Sequence, residues 1–292
     1  MIYDVRQTTT CAYASPVAHA RHVLRLTPIP RPGQRVHLAA LQIMPEPVLR
    51  REGQDFFGNR LTWIEIEEPH RLLTVKLAAR VTVDAAAELD APATPAWEAV
   101  REDGFAASDI GPYSPAHFLF PSRMVSLDPE IRDYTSESFP AGRPVLEAAI
   151  ELMNRLKADI TYEIGATTVT TTPPMSFALR RGVCQDFAHI MISGLRGIGL
   201  PAAYVSGYLR TMPRTDPTRL QGADAMHAWV LVWCGAETGW IGLDPTNAVI
   251  ASDQHVVLAV GRDYTDVAPM DGVIVGSGGQ QINVAVNVTP AG

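Results

Sequence analysis

The sequence has little of several features that would identify common classes of protein. Its 292 residues include only three cysteines with no short-range pair, so neither a disulfide framework nor a zinc knuckle is expected. It has no basic excess: 24 Lys and Arg oppose 31 Asp and Glu, which gives a net charge of −7 and predicts no nucleic-acid partner. The longest apolar stretch, around residues 228–234, is far below the ~18 residues that a membrane-spanning helix needs.

The first residues also lack the apolar core of a signal peptide. Asp4 and Arg6 place an acid and a base where such a peptide needs uninterrupted hydrophobic residues. We therefore expect a cytoplasmic protein with no membrane partner. The composition, 47% hydrophobic and 19% charged, is that of a folded globular chain whose length allows one large domain or two ordinary ones.

Residues 1–85 are predicted to form an antiparallel β-domain, either a small β-sandwich or an open barrel. The clearest strand is 73–83, where apolar odd-numbered residues alternate with mostly polar even-numbered ones, which predicts one buried side and one exposed side. Gly58 and Asn59 tolerate positive φ and indicate a tight turn or hairpin before this strand. Residues 86–143 lose the alternation, and we interpret them as a connector that contains short helices.

Residues 144–292 are predicted to form an α+β core in which helices pack on an antiparallel sheet. Helical periodicity begins at Pro144. A short helix is predicted to start at Ser176, a good N-cap, and the next helix is predicted to start at Cys184. Strand candidates follow at 203–209, 227–233 and 240–243, with further strands towards residue 292.

Cys184 differs from the other two cysteines in its position. It opens a helix, so unpaired backbone N–H groups and the positive end of the helix dipole surround its sulfur, and Arg180 and Arg181 lie just upstream. These features favour a thiolate near neutral pH, and the same N–H groups, that of Cys184 included, are candidates for binding an oxyanion. The alternative is a buried structural cysteine, which is the role we expect for Cys11 and Cys234.

A reactive thiol needs a base and a group that orients the base. His227 begins one predicted strand and Asp244 ends the next. A two-residue turn at 235–236 would place Asp244 opposite His227, whereas a four-residue turn at 235–238 would place Thr246 there, and both registers leave the imidazole and the carboxylate within reach. The carboxylate would fix the tautomer of His227 and stabilise the imidazolium that forms when His227 takes the thiol proton.

Five segments in this order resemble the bacterial transglutaminase-like family: 181–189 (RGVCQDFAH), 204–209 (YVSGYL), 226–230 (MHAWV), 243–247 (LDPTN) and 260–264 (VGRDY). The similarity covers about residues 144–265, and residues 1–85 resemble the N-terminal domain that accompanies that core. The resemblance implies a papain-like core with a triad of Cys184, His227 and Asp244. It does not specify the reaction, since the family includes proteases, acyl-transferring enzymes and deglycosylating enzymes.

Other residues are weaker candidates for roles at the site. Tyr162 follows the helix that begins at Pro144 and is a second candidate for binding the oxyanion, although packing in the core explains it equally well. The stretch before His227 contains candidates for binding acidic substrates, although a solvated loop is the commoner explanation: Arg210, Arg214 and Arg219.

Two polar residues beyond Cys184 are interpreted as structural. His189 lies about 140° round the helix from the thiol, and Asp186 lies in the first turn, where a carboxylate favours the dipole. No calcium-binding loop is present, and a metal held by Cys184, His227 and Asp244 is the least favoured alternative. We therefore expect no metal and no cofactor.

The function expected from these residues is cysteine-dependent acyl transfer from an amide through a thioester. Cys184 would attack a peptide bond or a glutamine carboxamide, and His227 would protonate the leaving amine. Hydrolysis is the default because water is abundant, whereas transamidation needs an amine site that the sequence does not reveal. The substrate would be a polypeptide or a small amide. The alternative function is a non-catalytic binding module that retains the papain-like scaffold.

Overall fold

The computed structural model describes residues 1–212, 220–221 and 225–291. The strands are β1 (Ile2–Val17), β2 (His19–Leu24), β3 (Gln34–Met44), β4 (Leu49–Gln54), β5 (Arg60–Ile66), β6 (His70–Val83), β7 (Thr161–Tyr162), β8 (Arg181–Gly182), β9 (Ala202–Leu209), β10 (Met226–Trp233), β11 (Trp240–Asp244), β12 (Val249–Ile250), β13 (His255–Gly261), β14 (Met270–Val275) and β15 (Gln280–Pro290). The α-helices are α1 (Trp97–Ala106), α2 (Pro129–Ser136), α3 (Val145–Asp159), α4 (Pro173–Leu179), α5 (Cys184–Gly197) and α6 (Tyr264–Val267).

Two four-stranded antiparallel sheets form an N-terminal β-sandwich. Their strand orders are β15-β1-β6-β3 and β14-β2-β5-β4. Strand β6 buries its odd-numbered side chains from Leu73 to Val83, which confirms the predicted strand and the side that faces inward. These side chains pack in one apolar cluster with Tyr3 and Val5 of β1 and Ile64 of β5, so the core of the sandwich lies between its two sheets.

The last two strands do not belong to the α+β core to which residues 144–292 were assigned. Strand β14 pairs with β2, and β15 pairs with β1 in a register that places Pro290 opposite Tyr3. Val286 and Val288 of β15 are buried in the sandwich core. Without β15, β1 would be an open edge of its sheet, so the alternating pattern near the end of the chain completes the sandwich.

The α+β core contains a five-stranded antiparallel sheet of order β12-β11-β10-β9-β13. Helices α3 and α5 pack on one face in a single apolar cluster. On the other face, Trp229, Leu231 and Val257 pack against Ile29 and Phe57 from the N-terminal part of the chain. Because both faces are covered, β9 and β13 are buried along their whole length.

The helices follow the predicted order with one correction. Helix α4 starts at Pro173, not at Ser176, because two consecutive prolines fit the first turn of a helix, and Ser176 lies buried inside it. Arg180 then ends α4 in the left-handed conformation, with φ of 53°. Helix α5 starts at Cys184, as predicted. Within the described ranges, we find no helix with both the length and the apolar character to cross a bilayer.

Two side-chain amides of the sandwich region bind the outer edge of β13. Gln34 donates to the Val257 carbonyl and accepts from the Val257 N–H, both at 2.8 Å. Asn59 makes the same pair of bonds with Val260, also at 2.8 Å. Asn59 was predicted as a turn residue; it does end the β4–β5 hairpin turn, but it is fully buried because its amide replaces a neighbouring strand.

Candidate active site

Cys184 is the first residue of α5, and a carboxylate in the same first turn fixes the backbone before it. Asp186 accepts hydrogen bonds from the Val183 N–H at 2.8 Å and from the Thr167 hydroxyl at 2.6 Å. Burial raises the pKa of Asp186, and these hydrogen bonds oppose the shift. Any side chain at Gly182 would collide with Asp186, so glycine is required at that position. Asp186 therefore stabilises the backbone turn that carries Cys184, which agrees with the structural role predicted for it.

The β10–β11 hairpin places the histidine beside the carboxylate. Val230 lies opposite Leu243 and Trp233 opposite Trp240, which is the longer-turn register of the two considered. His227 Nε2 donates to Asp244 Oδ2 at 2.8 Å, and both side chains are buried. Because the carboxylate can only accept, Nε2 carries the hydrogen in this pair.

Each member of this pair stabilises the charged form of the other. Burial alone would raise the pKa of Asp244, but the neighbouring His227 and His255 hold it well below its usual value. Burial alone would lower the pKa of His227, but the Asp244 carboxylate and the Cys184 sulfur raise it above its usual value. No nitrogen or oxygen of the described residues bonds the other ring nitrogen of His227, Nδ1, which leaves that atom to Cys184.

Asp244 accepts hydrogen bonds from more donors than the one, His227, that the sequence predicted. Asn247 Nδ2 donates to Oδ2 at 2.7 Å, and the backbone N–H of Thr246 donates to Oδ1 at 3.0 Å. Asn247 lies in one of the five family-like segments, so its spacing of three residues from Asp244 in a turn could have indicated this bond. These donors fix both oxygens of the carboxylate.

A second histidine reaches the same carboxylate, and no sequence pattern predicts this contact. His255 Nε2 lies 3.3 Å from Asp244 Oδ2, while its Nδ1 accepts from the Ser252 N–H at 3.4 Å. Trp229 lies between the two imidazoles: it stacks on His227 with ring centroids 6.1 Å apart and meets His255 edge-on at 5.2 Å. His255 opens a buried strand, where its apolar neighbours predict only packing.

Of the other residues considered, Tyr162 lies near the start of α5 and His189 lies within that helix. Tyr162 pairs with Gly182 through the short β7–β8 ladder, and its hydroxyl pKa is raised to about 12 by burial and by the nearby Cys184 sulfur. The structure thus brings Tyr162 close to the thiol. His189 is buried, and its Nε2 accepts from the Tyr264 N–H at 3.2 Å, which fits the structural role predicted for it. Burial lowers the pKa of His189 to about 4.

The three arginine candidates do not form a described cluster at the thiol. Arg210 follows β9, its backbone N–H donates to the Gln254 carbonyl at 2.9 Å, and its charge acts on Tyr3 of the sandwich. Arg214 and Arg219 lie outside the described residues. Among the described residues, one group offers three metal-ligand atoms close together: His19, Glu65 and Glu67, on the sandwich. Glu65 in that group is already bonded to Arg21.

Both parts of the chain match known families. Residues 3–82 match the profile of the bacterial transglutaminase-like N-terminal region, and residues 133–245 match that of the transglutaminase-like superfamily. An uncharacterized protein of Mycobacterium tuberculosis is 36% identical over 295 residues, covering 99% of this chain and 92% of that protein. The chain therefore belongs to the bacterial transglutaminase-like family.

Two further comparisons relate the chain to proteins described by activity. A protein-glutamine gamma-glutamyltransferase of Pseudomonas aeruginosa is 28% identical over 146 residues, covering 48% of this chain and 22% of that enzyme. A solved structure from Cytophaga hutchinsonii, described as a candidate cysteine protease, superposes with a TM-score of 0.76 at 22% identity. It covers 99% of this chain and 90% of that one, so the shared fold includes the sandwich as well as the core.

Proposed function

We propose that this protein catalyses cysteine-dependent acyl transfer from an amide, with Cys184 as nucleophile, His227 as base and acid, and Asp244 as the residue that orients His227. The observation that carries the proposal is the buried hydrogen bond of 2.8 Å between His227 and Asp244, with the second ring nitrogen left to a thiol at a helix N-terminus. Membership of the transglutaminase-like superfamily supports the same chemistry.

The reaction begins when the Cys184 sulfur attacks the carbonyl carbon of the amide. His227 Nδ1 takes the thiol proton as the carbon–sulfur bond forms. The negative charge moves to the carbonyl oxygen, for which the Cys184 N–H and the Tyr162 hydroxyl are the candidate donors. The carbon–nitrogen bond then breaks, and His227 gives its Nδ1 proton to the leaving amine. A thioester remains on Cys184.

The second half of the reaction restores the thiol. Water or an amine attacks the thioester carbon, His227 takes the proton of the attacking group, and the carbon–sulfur bond breaks. Asp244 stays ionised throughout, because its neighbours hold its pKa well below its usual value, so it stabilises each imidazolium that forms. The products are a carboxylic acid from water or a new amide from an amine.

The proposed substrate is a polypeptide or a small amide, and hydrolysis is the default outcome. Support for a glutamine side chain as acyl donor comes from the similarity to a protein-glutamine gamma-glutamyltransferase. Support for a peptide bond comes from the fold shared with a candidate cysteine protease. The two substrates differ in the leaving group, which is ammonia in one case and a new peptide N-terminus in the other.

An assay that separates these products tests the proposal. Unfolded casein and a glutamine-containing peptide are incubated with the protein, with and without a dansylated primary amine. Ammonia release, amine incorporation and new N-termini are followed by mass spectrometry. We expect at least one product with the native chain and with Cys11→Ala, a matched control because Cys11 is buried in the sandwich, and none with Cys184→Ala. Substrate binding without any product or acyl-enzyme would favour the binding-module alternative.

A further inference from the structure

A cavity of about 280 Å³ lies on the face of the five-stranded sheet that α5 does not cover. Trp229, Trp240 and Gly242 line it from the sheet, and the turn 31–34 lines it from the sandwich region. Its described lining contains no residue of the triad. The volume is at the lower end of the range for small-molecule sites, ~300–1,000 Å³, and suits a ligand of one ring and a few further atoms.

Arg31 is the one arginine or lysine among the described residues of the cavity wall. Its guanidinium makes no hydrogen bond or ion pair with the described residues; Arg31 is partly buried, and burial lowers its pKa. Asp84 also lines the cavity, but this carboxylate is half exposed and lies 3.7 Å from the neighbouring Arg35. A partly buried guanidinium that has no counter-ion among the described residues leaves its donors available to an anion, so the cavity favours an anion.

The turn that carries Arg31 is held rigidly. Backbone bonds join Arg31 and Gln34 in both directions, at 2.8 and 3.1 Å. The Gln34 side chain in turn bonds both backbone groups of Val257 on β13 and the Ile29 carbonyl. Arg31 is therefore positioned by the same contact that joins the sandwich to the five-stranded sheet, and little ordering remains to be done when a ligand binds.

Trp240 is partly exposed and gives the cavity most of its aromatic surface, whereas Trp229 lines the cavity but is only 1% exposed. The Trp240 Nε1–H already donates to the Tyr113 carbonyl at 3.0 Å, which fixes that ring. Trp229 is held between His227 and His255. An aromatic wall beside a cation suits a ligand that carries both an apolar group and a negative charge. The apolar group would pack on the indole, and the negative charge would pair with the guanidinium.

We propose that this cavity binds a small organic carboxylate with an aromatic or comparable apolar group. The carboxylate pairs with the Arg31 guanidinium, which presents two parallel donors to such an anion, and the apolar group packs against Trp229 and Trp240. The site is separate from the proposed acyl-transfer centre, and its existence does not depend on that reaction. Its ligand would nevertheless contact Trp229 and His255, which themselves contact the triad residues His227 and Asp244.

Ligand-observed ¹⁹F NMR with 4-fluorobenzoate and 4-fluorobenzamide tests the proposal, since the two probes share a shape and differ in charge. We expect saturable binding of the benzoate, at least about tenfold tighter than the benzamide, and no displacement by equimolar inorganic phosphate. Arg31→Gln should weaken benzoate binding about tenfold or more, and Arg31→Lys should weaken it less. Arg35→Gln is the matched control and should bind the benzoate as the native chain does.

Several results would overturn the proposal. These are equal binding of the two probes, unchanged benzoate binding in Arg31→Gln when near-ultraviolet circular dichroism shows that variant to be folded, and an equal loss in Arg35→Gln. Displacement by phosphate would show a simple anion site without a role for the indoles. A peptide that ends in phenylalanine presents the same groups, so titrating its free-acid and amidated forms shows whether the site takes a chain end or a free acid.

Discussion

The β-sandwich and the five-stranded sheet both bury polar side chains, but they differ in how well these side chains are hydrogen-bonded. In the sandwich, His22 and His70 are buried with ring nitrogens that have no partner among the described residues. In the five-stranded sheet, Asp244 is just as buried, but both of its oxygens accept hydrogen bonds from several donors. The interior of the five-stranded sheet is organised around one carboxylate, that of Asp244. We therefore expect substitutions around Asp244 to change activity and substitutions inside the sandwich to change stability.

The largest expected effect is the loss of the proposed acid–base pair. His227→Ala should lower kcat/KM on the order of 10⁴-fold, or ~5 kcal/mol of transition-state stabilisation, because it removes the proposed base for the thiol proton. Asp244→Ala should lose less, since the imidazole retains the correct tautomer part of the time. The double variant should be hardly worse than His227→Ala alone. Additive losses in the ammonia or peptide-cleavage assay would mean that the two residues act independently.

The next effect compares the reactivity of the three thiols, which lie in three different parts of the structure. Burial raises the pKa of Cys11 in the sandwich, and raises that of Cys234, after β10, to about 12. Cys184 is partly exposed at its helix N-terminus. Iodoacetamide near pH 7 should therefore label Cys184 on the order of 10³-fold faster than the other two, as measured by peptide mapping over time. Similar rates for all three would contradict the assignment of Cys184 as the nucleophile.

His189 provides a test of whether α5 also contains a purely structural polar group. Its pKa is lowered from 6.5 to about 4 by burial, so the unfolded chain binds a proton more readily than the folded one between these values. The free energy of unfolding should therefore fall as the pH drops from 6.5 to about 4, by about 3 kcal/mol from this residue. His189→Gln should flatten this dependence in urea titrations.

A comparison at pH 8 separates charge from packing in that experiment. Both side chains are neutral there, so any difference in stability between native and His189→Gln chains reports contacts alone, including the acceptor for the Tyr264 N–H. An equally steep acid dependence in the variant would show that buried groups elsewhere dominate acid unfolding, such as His22 of the sandwich, whose pKa burial also lowers.

The smallest effect concerns the second histidine on the carboxylate. His255 should act as a positioning residue, and His255→Gln should lower kcat about tenfold with little change in KM, because its bond to Asp244 is long, at 3.3 Å. The pH profile should shift as well, since the carboxylate that sets the His227 pKa moves. A loss confined to thermal stability, with an unchanged profile, would make His255 structural only.

The two regions also differ in how far the sequence predicts them. Residues 73–83 alternate because one side of β6 faces solvent, so the strand and its buried side follow from the pattern alone. Strands β9 and β10 are covered on both faces and have no such pattern; His227 and Asp244 became candidates through hairpin pairing and a family resemblance.

What the sequence could not supply depends on contacts between distant segments. His255 and Asp244 meet although β10 and β9 lie between their strands in the sheet, and local periodicity carries no information about that contact. The return of β14 and β15 to the sandwich is of the same kind. The start of α4 is different, because Pro173 and Pro174 gave a local signal that outweighs Ser176 as a cap.

The pairing of β15 with β1 has a consequence for the order in which this protein is made. A ribosome completes β1 to β6 first, then the whole α+β core, and only afterwards the two strands that close the sandwich sheets. Until then β1 and β2 have open edges, which are templates for pairing with other chains. The N-terminal family region at residues 3–82 thus lacks one strand of each sandwich sheet, and it gains these strands only after the α+β core has been synthesised.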